Sequence, residues 1–282
     1  RPKFHLYRAN VAILSGMAWD HINVFPTFEK YKIAFSDFLK SMEPGGTLIY
    51  NSDDVELKDL VLGDNSPIRK IPYSIPKYRI DDVKWVWCTP QGDLNLHFIG
   101  KHNLSNAEGA RWLAQEMGIQ AEEFYDAIST FTGAERRLEI LGRGEHRSVH
   151  LDFAHAPSKV KATVEAYVET FPKTIKIGLL ELHTFSSLNP VFISGYHDVL
   201  NGLDQALVYY DPKAVAHKNL PELEKSTVES VFGTGVKVFT DIDELRISFD
   251  KLPISCNLLV MSSGNLGGFD IRAYSEKWVS EN

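Results

Sequence analysis

Within Leu151–Lys161 (Leu-Asp-Phe-Ala-His-Ala-Pro-Ser-Lys-Val-Lys) a carboxylate, Asp152, and an imidazole, His155, stand at the end of a short apolar run. The run breaks at Pro157, and apolar residues then recur at helical spacing (Val160, Val164, Tyr167, Val168). Strand, polar corner and helix in this order put both groups where open α/β sheets bind ligands, beside a helix N-terminus that favours anions. A carboxylate there can accept from ribose hydroxyls, and an imidazole titrating near neutrality can orient or accept a proton. The plainer role for Asp152 is to cap the helix that begins near Ser158.

Other stretches carry the same kind of chemistry, each with a plain structural alternative. Asp20-His21 follows the apolar run Val11–Leu14. The pair can approach Mg²⁺, although that ion prefers oxygen to imidazole, or can simply satisfy a turn. Gly100-Lys-His-Asn-Leu-Ser-Asn106 offers amides at a helix start; Asn103 is either its N-cap or, with Asn106, a reader of an adenine edge. Arg136-Arg137 suits phosphate or a solvated hinge. His183, Thr184 and Ser186 follow one apolar strand, and Ser263, Gly264 and Asn265 follow another within Ser262–Gly268. That last loop lets backbone approach an anion closely.

The elements that must position these groups alternate. Val11–Leu14 reads as a buried parallel strand, then a helix with Thr27 as its cap and Pro44-Gly45-Gly46 as its stop, then strand Thr47–Tyr50. A hairpin follows around Pro90-Gln-Gly-Asp93, then helices through Met117 and over Ala121–Thr130. The boundary is placed at Gly133–Arg137, dividing residues 1–134 from 135–282. Beyond it come a hairpin (Leu138–Leu141, Ser148–Phe153) and strands at Thr174–Leu180, Gln205–Tyr210, Val236–Phe239 and Cys256–Ser262. Helices are expected at Ser158–Thr170, Val191–Leu200, Leu220–Val231, Ile242–Phe249 and the C-terminus. This alternation predicts a doubly wound, mostly parallel sheet.

The 282 residues are 44% hydrophobic and 24% charged, with a formal net charge of −7. An acidic surface of this kind excludes general nucleic-acid binding, which draws on cationic side chains. No apolar run approaches the ~20 residues that span a bilayer, so no membrane partner is expected. The two cysteines, Cys88 and Cys256, lie in apolar runs without metal spacing, which fits a reducing cytosol and a cytoplasmic location.

Taken together, the segments resemble the Mur ligases, ATP-dependent amide-forming enzymes of peptidoglycan assembly. Ala18-Trp-Asp-His-Ile-Asn-Val-Phe25 is similar to the segment whose histidine contacts Mg²⁺, here His21. Lys101-His-Asn-Leu-Ser-Asn106 is similar to H-N-x-x-N, whose asparagines hold adenine. Phe131–Arg137 matches the interdomain F-x-G-x-x-R-R, and Asp152–Pro157 resembles D-(Y/F)-(A/G)-H-H-P. Pro2-Lys-Phe-His-Leu-Tyr-Arg8 and Met261-Ser-Ser-Gly-Asn-Leu-Gly-Gly268 resemble S-K-F-x-x-Y-R-P and M-S-N-G-x-F-G-G of the murein peptide ligase branch. The departures are Gly16–His21, which lacks the amide and one carboxylate of N-x-E-x-D-H, and Ala156 in place of the second histidine. Glu181–Ser187 also replaces an arginine-containing loop.

The resemblance implies the rear part of a central ATPase domain followed by a Rossmann-like C-terminal domain. It implies a ligase that uses ATP and Mg²⁺ to join L-alanyl-γ-D-glutamyl-meso-diaminopimelate, a recycled murein tripeptide, to UDP-N-acetylmuramate through an acyl phosphate. The alternatives are the branch that adds L-alanine, a non-catalytic binder of murein peptides, and a nucleotide-dependent oxidoreductase. By likeness, Asn103, Asn106, Arg136 and Asp152 bind ATP and His155 serves the incoming amine. His183, Thr184, Ser186, Ser263, Gly264 and Asn265 receive the peptide. Likeness also makes Asp152→Ala an ATP defect without unfolding. It places a UDP-sugar domain and a P-loop ahead of Arg1, so the 282-residue chain alone is expected to lack ligase activity.

Overall fold

The computed structural model describes residues 2–280, which divide into two compact units between Thr132 and Gly133. In the first, β1 (Val11–Leu14), β2 (Thr47–Asn51) and β3 (Arg69–Tyr73) form a parallel sheet in that order. Side chains alternate across it. Leu48 and Tyr50 join Phe35, Phe38 and Leu39 of α1 (Phe28–Ser41) and Leu57 and Val61 of α2 (Val55–Gly63) in one core. Ile13 and Tyr73 meet Gly109 of α3 (Lys101–Glu116) instead, where an added Cβ would lie 2.7 Å from Ile13 and 2.8 Å from Tyr73. Thr27 caps α1 as expected, its hydroxyl accepting from the Lys30 amide.

A small antiparallel sheet, β4 (Tyr78–Asp81), β5 (Lys84–Thr89) and β6 (Gly92–Asn95), completes this unit with α3 and α4 (Ala121–Ser129). Trp85, Trp87 and Phe98 pack there against Leu104 and Ala107 of α3. The expected hairpin is present. Helix α2 and strands β3 and β4 are not foreshadowed by the sequence pattern. β3 contains Pro72, which an edge strand tolerates because it needs no donor on its outer side.

The second unit is one six-stranded sheet in the order β11-β10-β9-β12-β8-β7. Its members are β7 (Glu139–Arg143), β8 (Arg147–Asp152), β9 (Lys176–Glu181), β10 (Gln205–Tyr209), β11 (Val236–Phe239) and β12 (Cys256–Met261). Every pairing is parallel except β7 with β8. All residues of β9 and β12 are buried, as expected of strands covered on both faces. Val149, Leu151, Leu258 and Val260 pack with α8 (Ile242–Phe249) and α9 (Ile271–Ser280). The alternate residue His150 meets Tyr167 of α5 (Pro157–Thr170) on the other face. This is the doubly wound α/β fold.

Two helices depart from expectation. Val191–Leu200 contains only a single 3-10 turn, Ile193–Tyr196. Gly195 sits against Pro157, where a Cβ would lie 3.3 Å from its ring, and Asp198 takes a left-handed φ of 63° that ends helical geometry. Leu220–Val231 is also not continuous. Pro221 lies between α6 (Pro212–His217), capped by Asp211, and α7 (Lys225–Phe232). Among the described residues no helix is long and apolar enough to cross a membrane.

Candidate functional site

Asp20 and His21 lie in the loop beyond β1, six and seven residues after its last residue, rather than at the strand end. Asp20 is buried and accepts from the His21 amide at 2.7 Å, while the His21 ring is 65% exposed with Nε2 4.0 Å from Asp20 Oδ2. His21 itself takes φ 57°. Tyr31 is nearby, its phenol pushed up by burial and then by the charges of Asp20 and Asp54. Both Asp54 oxygens are committed, to the Met17 and Leu57 amides. Among the described residues no group of three or more His, Cys, Asp or Glu is placed to hold a metal ion.

Asn103 is not the N-cap of α3. Gly100, at φ 100°, occupies that position, and the Asn103 amide donates backwards to the Ile99 carbonyl at 2.8 Å. Asn106, one turn on, is exposed. The two side chains share a helix face by their i, i+3 spacing.

In the second unit, β12 lies between β8 and β9, so the ends of three strands meet: Asp152, Ser262 and Glu181. Asp152 is 2% exposed. Its Oδ2 accepts from the Leu138 amide at 2.9 Å, and its Oδ1 from the Ala154 amide at 2.7 Å and the Thr163 hydroxyl at 3.3 Å. It thus fastens the segment before β7 and helix α5 to the end of β8. It is not the cap of α5, whose N-cap is Ala156, and its carboxylate is turned inward. Removing it would strand buried donors, so Asp152→Ala is expected to cost stability.

His155 stands at the corner, Nδ1 2.9 Å from the Phe153 carbonyl. The carbonyl of His155 accepts from the Tyr196 hydroxyl, which ties the 3-10 turn to this corner. The Phe153 ring lies 5.2 Å from the His155 ring and under Arg136 (4.9 Å) and Arg137 (5.5 Å). Arg136 takes φ 55° and Leu138 φ 49°, uncommon for side-chain-bearing residues and held here by three ties. The Arg136 amide donates to Glu139 and its carbonyl accepts from Phe153, while Arg272 grips Glu139 with both amines at 2.7 and 2.9 Å. That Arg272 bond holds the Glu139 carboxyl below its usual range.

The Ser262–Gly268 loop already holds an anion, and it belongs to the chain. Glu181, 3% exposed, accepts the Leu266 amide at 3.0 Å on Oε1 and the Ser262 hydroxyl on Oε2. The Ser262 hydroxyl in turn accepts from the Gly264 amide at 3.2 Å. On the other side the Arg136 guanidinium donates to the carbonyls of Ser262 (2.6 Å) and Gly264 (3.3 Å). Gly264 has no room for a side chain, since a Cβ would lie 2.6 Å from the His183 ring. His183 Nδ1 is 3.8 Å from Glu181. A cavity of about 270 Å³ borders Arg136, Ser262, Gly264, Asn265 and Arg272.

The sequence grouped His183, Thr184 and Ser186 as one ligand loop. His183 does face Gly264, but Thr184 closes on Ser187: hydroxyl to hydroxyl at 3.0 Å, with the Ser187 amide returning to Thr184 at 3.1 Å. Ser186 is buried. Ser263 has its hydroxyl buried without a partner among the described residues, and Asn265 is exposed. Glu181 and Ser262, which organise the loop, were not singled out. The available signal was a carboxylate closing a wholly apolar strand, Ile177–Leu180.

Residues 4–114 match the Mur ligase middle domain, and the doubly wound unit follows that stretch. The relatives are more particular. The UDP-N-acetylmuramate–L-alanine ligase of Aquifex aeolicus is 27% identical over 211 residues, 70% of this chain and 46% of that protein. The ligase of the same name from Roseiflexus sp. is 24% identical over 256 residues, 79% and 55% respectively. The chain thus spans about half the length of these curated relatives. Three crystal structures are similar in fold. The UDP-N-acetylmuramate–alanine ligase of Thermotoga maritima has a TM-score of 0.67 at 15% identity, over 98% of this chain and 60% of that one. The murein peptide ligase of Psychrobacter arcticus gives 0.62 at 17%, over 100% and 60%. The MurF ligase of T. maritima in complex with ADP gives 0.67 at 15%, over 96% and 61%. At such identities these structures establish the fold.

Proposed function

We propose that the whole protein is an ATP-dependent ligase that forms an amide on UDP-N-acetylmuramate, with L-alanine as the amine substrate. The observation that carries this reading is the alignment of L-alanine ligases along 70% and 79% of the chain, through both units. ATP as co-substrate is supported by the ADP-bound structural neighbour and by the asparagine face of α3. A second reading, with the murein tripeptide as amine, is favoured by the Met261–Gly268 loop and by the fold neighbour of that activity.

The reaction would transfer the γ-phosphoryl group of ATP to the muramyl carboxylate, releasing ADP. The amine then attacks the acyl carbon, phosphate departs with its oxygen, and the nitrogen loses a proton. Charge grows on the transferring group and cationic side chains are needed around it. Within this reading Asn103 and Asn106 meet the base, Arg136 meets phosphate, and Asp152 holds the seam that presents Arg136. His155, anchored through Nδ1 to the Phe153 carbonyl, stands at the corner where the amine would arrive and would orient it. His183, Gly264 and Asn265 border the amine's carboxylate.

The test is phosphate release by the full-length protein with ATP, UDP-N-acetylmuramate and either L-alanine or the tripeptide. Turnover with L-alanine at least ten times that with tripeptide supports the first reading, the reverse ratio supports the second, and none with either defeats both.

A further inference from the structure

Arg136 is drawn towards two partners. By the reading above its guanidinium serves the nucleotide, yet its recorded side-chain hydrogen bonds run to the carbonyls of Ser262 and Gly264, in the loop that borders the amine site. The loop is therefore clamped on both sides. Glu181 takes its Leu266 amide and Ser262 hydroxyl, and Arg136 gives to its carbonyls.

The two arms differ in what can undo them. The Glu181 carboxylate is buried and its partners are the loop itself. The Arg136 arm is a cation donating to neutral carbonyls, and its Nε is buried with no partner among the described residues. A phosphate brings full negative charge and can take two parallel bonds from the same fork, which the two neutral carbonyls cannot match, so it outcompetes them. The Arg136 backbone would not follow. Its amide is held by Glu139, its carbonyl by the Phe153 amide, and Phe153 lies under the guanidinium at 4.9 Å. The side chain alone can swing.

We propose that Arg136 is a positioning residue for the Ser262–Gly268 loop, and that an anionic nucleotide withdraws it, leaving the loop anchored through Glu181, the Ser262 amide and the buried Leu266, with its Ser262–Gly264 carbonyls free to reshape around the amine substrate. This rests on the ligase reading for the identity of the anion, but not for the clamp.

The experiment is amide hydrogen exchange, read by mass spectrometry on peptides covering residues 262–268 of the full-length protein, with ATP binding followed in parallel by calorimetry. Without nucleotide, Arg136→Ala should speed exchange of the loop about tenfold, as loss of one or two hydrogen bonds predicts. Arg136→Lys, which keeps the charge but not the fork, should fall between. Saturating ATP should speed the loop in the natural protein, adenosine should not, and ATP should add nothing in Arg136→Ala. Loop exchange in Arg136→Ala equal to that of the natural protein would overturn the clamp. Unchanged exchange on ATP addition, with binding seen by calorimetry, would overturn the withdrawal. If β10 also exchanges faster in Arg136→Ala, that variant has loosened globally and Arg136→Lys decides by the same criteria. If calorimetry finds no ATP binding, the ligase reading and the withdrawal fail together, and the clamp stands or falls on the two variants.

Discussion

Glu181 and Ser262, 81 residues apart in the chain, share a hydrogen bond at the ends of adjacent strands: the serine hydroxyl donates to the buried carboxylate. A loop whose amides could have awaited a ligand's carboxylate is thereby organised around one of the chain's own. Substitution of Glu181 tests this directly. Glu181→Ala leaves the Leu266 amide and the Ser262 hydroxyl unpaired in a buried place and should cost about 2–4 kcal/mol in urea unfolding. Glu181→Gln keeps an acceptor for Leu266 and should cost less than half as much. Equal losses for the two would show that hydrogen bonding to this side chain is not what matters.

Asp152 should behave as a structural group. Asp152→Ala exposes the Leu138 and Ala154 amides to an apolar surround and is expected to lower unfolding free energy by about 2–4 kcal/mol. Circular dichroism in urea reads this. A fully stable Asp152→Ala protein with weakened ATP affinity would reverse the assignment and return Asp152 to the nucleotide.

Gly264→Ala places a methyl group 2.6 Å from the His183 ring and 2.7 Å from Glu181. Overpacking of this order costs about 1–3 kcal/mol. His183→Ala opens the space, so the double variant Gly264→Ala/His183→Ala should recover part of the loss. Additive losses in the double-mutant cycle would mean that the two residues do not press on each other.

Acid stability should depend on His150. Burial holds its imidazole down from 6.5 to about 3 in the folded protein, with Nδ1 3.0 Å from the Tyr167 hydroxyl. Above pH 6.5 both folded and unfolded chains carry it neutral. As pH falls towards 3 the unfolded chain binds a proton that the folded one refuses, so stability drops by up to about 1.4 kcal/mol per pH unit. His150→Asn should flatten the slope between pH 6 and 4 by close to one proton. An unchanged slope would place the acid lability elsewhere.

The α3 face offers a separable test of nucleotide binding. Asn106 is exposed, so Asn106→Ala should leave the melting temperature within about 1 °C while weakening ATP binding several-fold by calorimetry. Asn103→Ala also removes the bond to Ile99 and should cost about 0.5–1.5 kcal/mol as well. Unaltered ATP affinity in both variants would remove α3 from the nucleotide site.

Regular periodicity made much of the second unit legible. β11 (Val236–Phe239) and α8 (Ile242–Phe249) occupy the expected residues, because an apolar run and a capped, three-to-four-spaced stripe each admit one reading. Val55–Gly63 and Arg69–Tyr73 escaped notice for the opposite reason. The helix is short, and the strand carries Arg, Lys and Pro on an edge where burial is incomplete. At the site, residue types were visible but their commitments were not. Asp152 and Thr184 look equally available in a sequence, yet both are consumed by local bonds.

The sequence by itself determined the alternation of strand and helix, the corner at Asp152–Pro157 and the glycine loop at Ser262–Gly268, since each depends on local spacing and backbone preference. Only the tertiary structure decided that β12 inserts between β8 and β9. That insertion depends on which strands bury each other's faces, a property of the whole sheet. It brings both Glu181 and Arg136 within hydrogen-bonding reach of the glycine loop, and so joins three separated segments in one element.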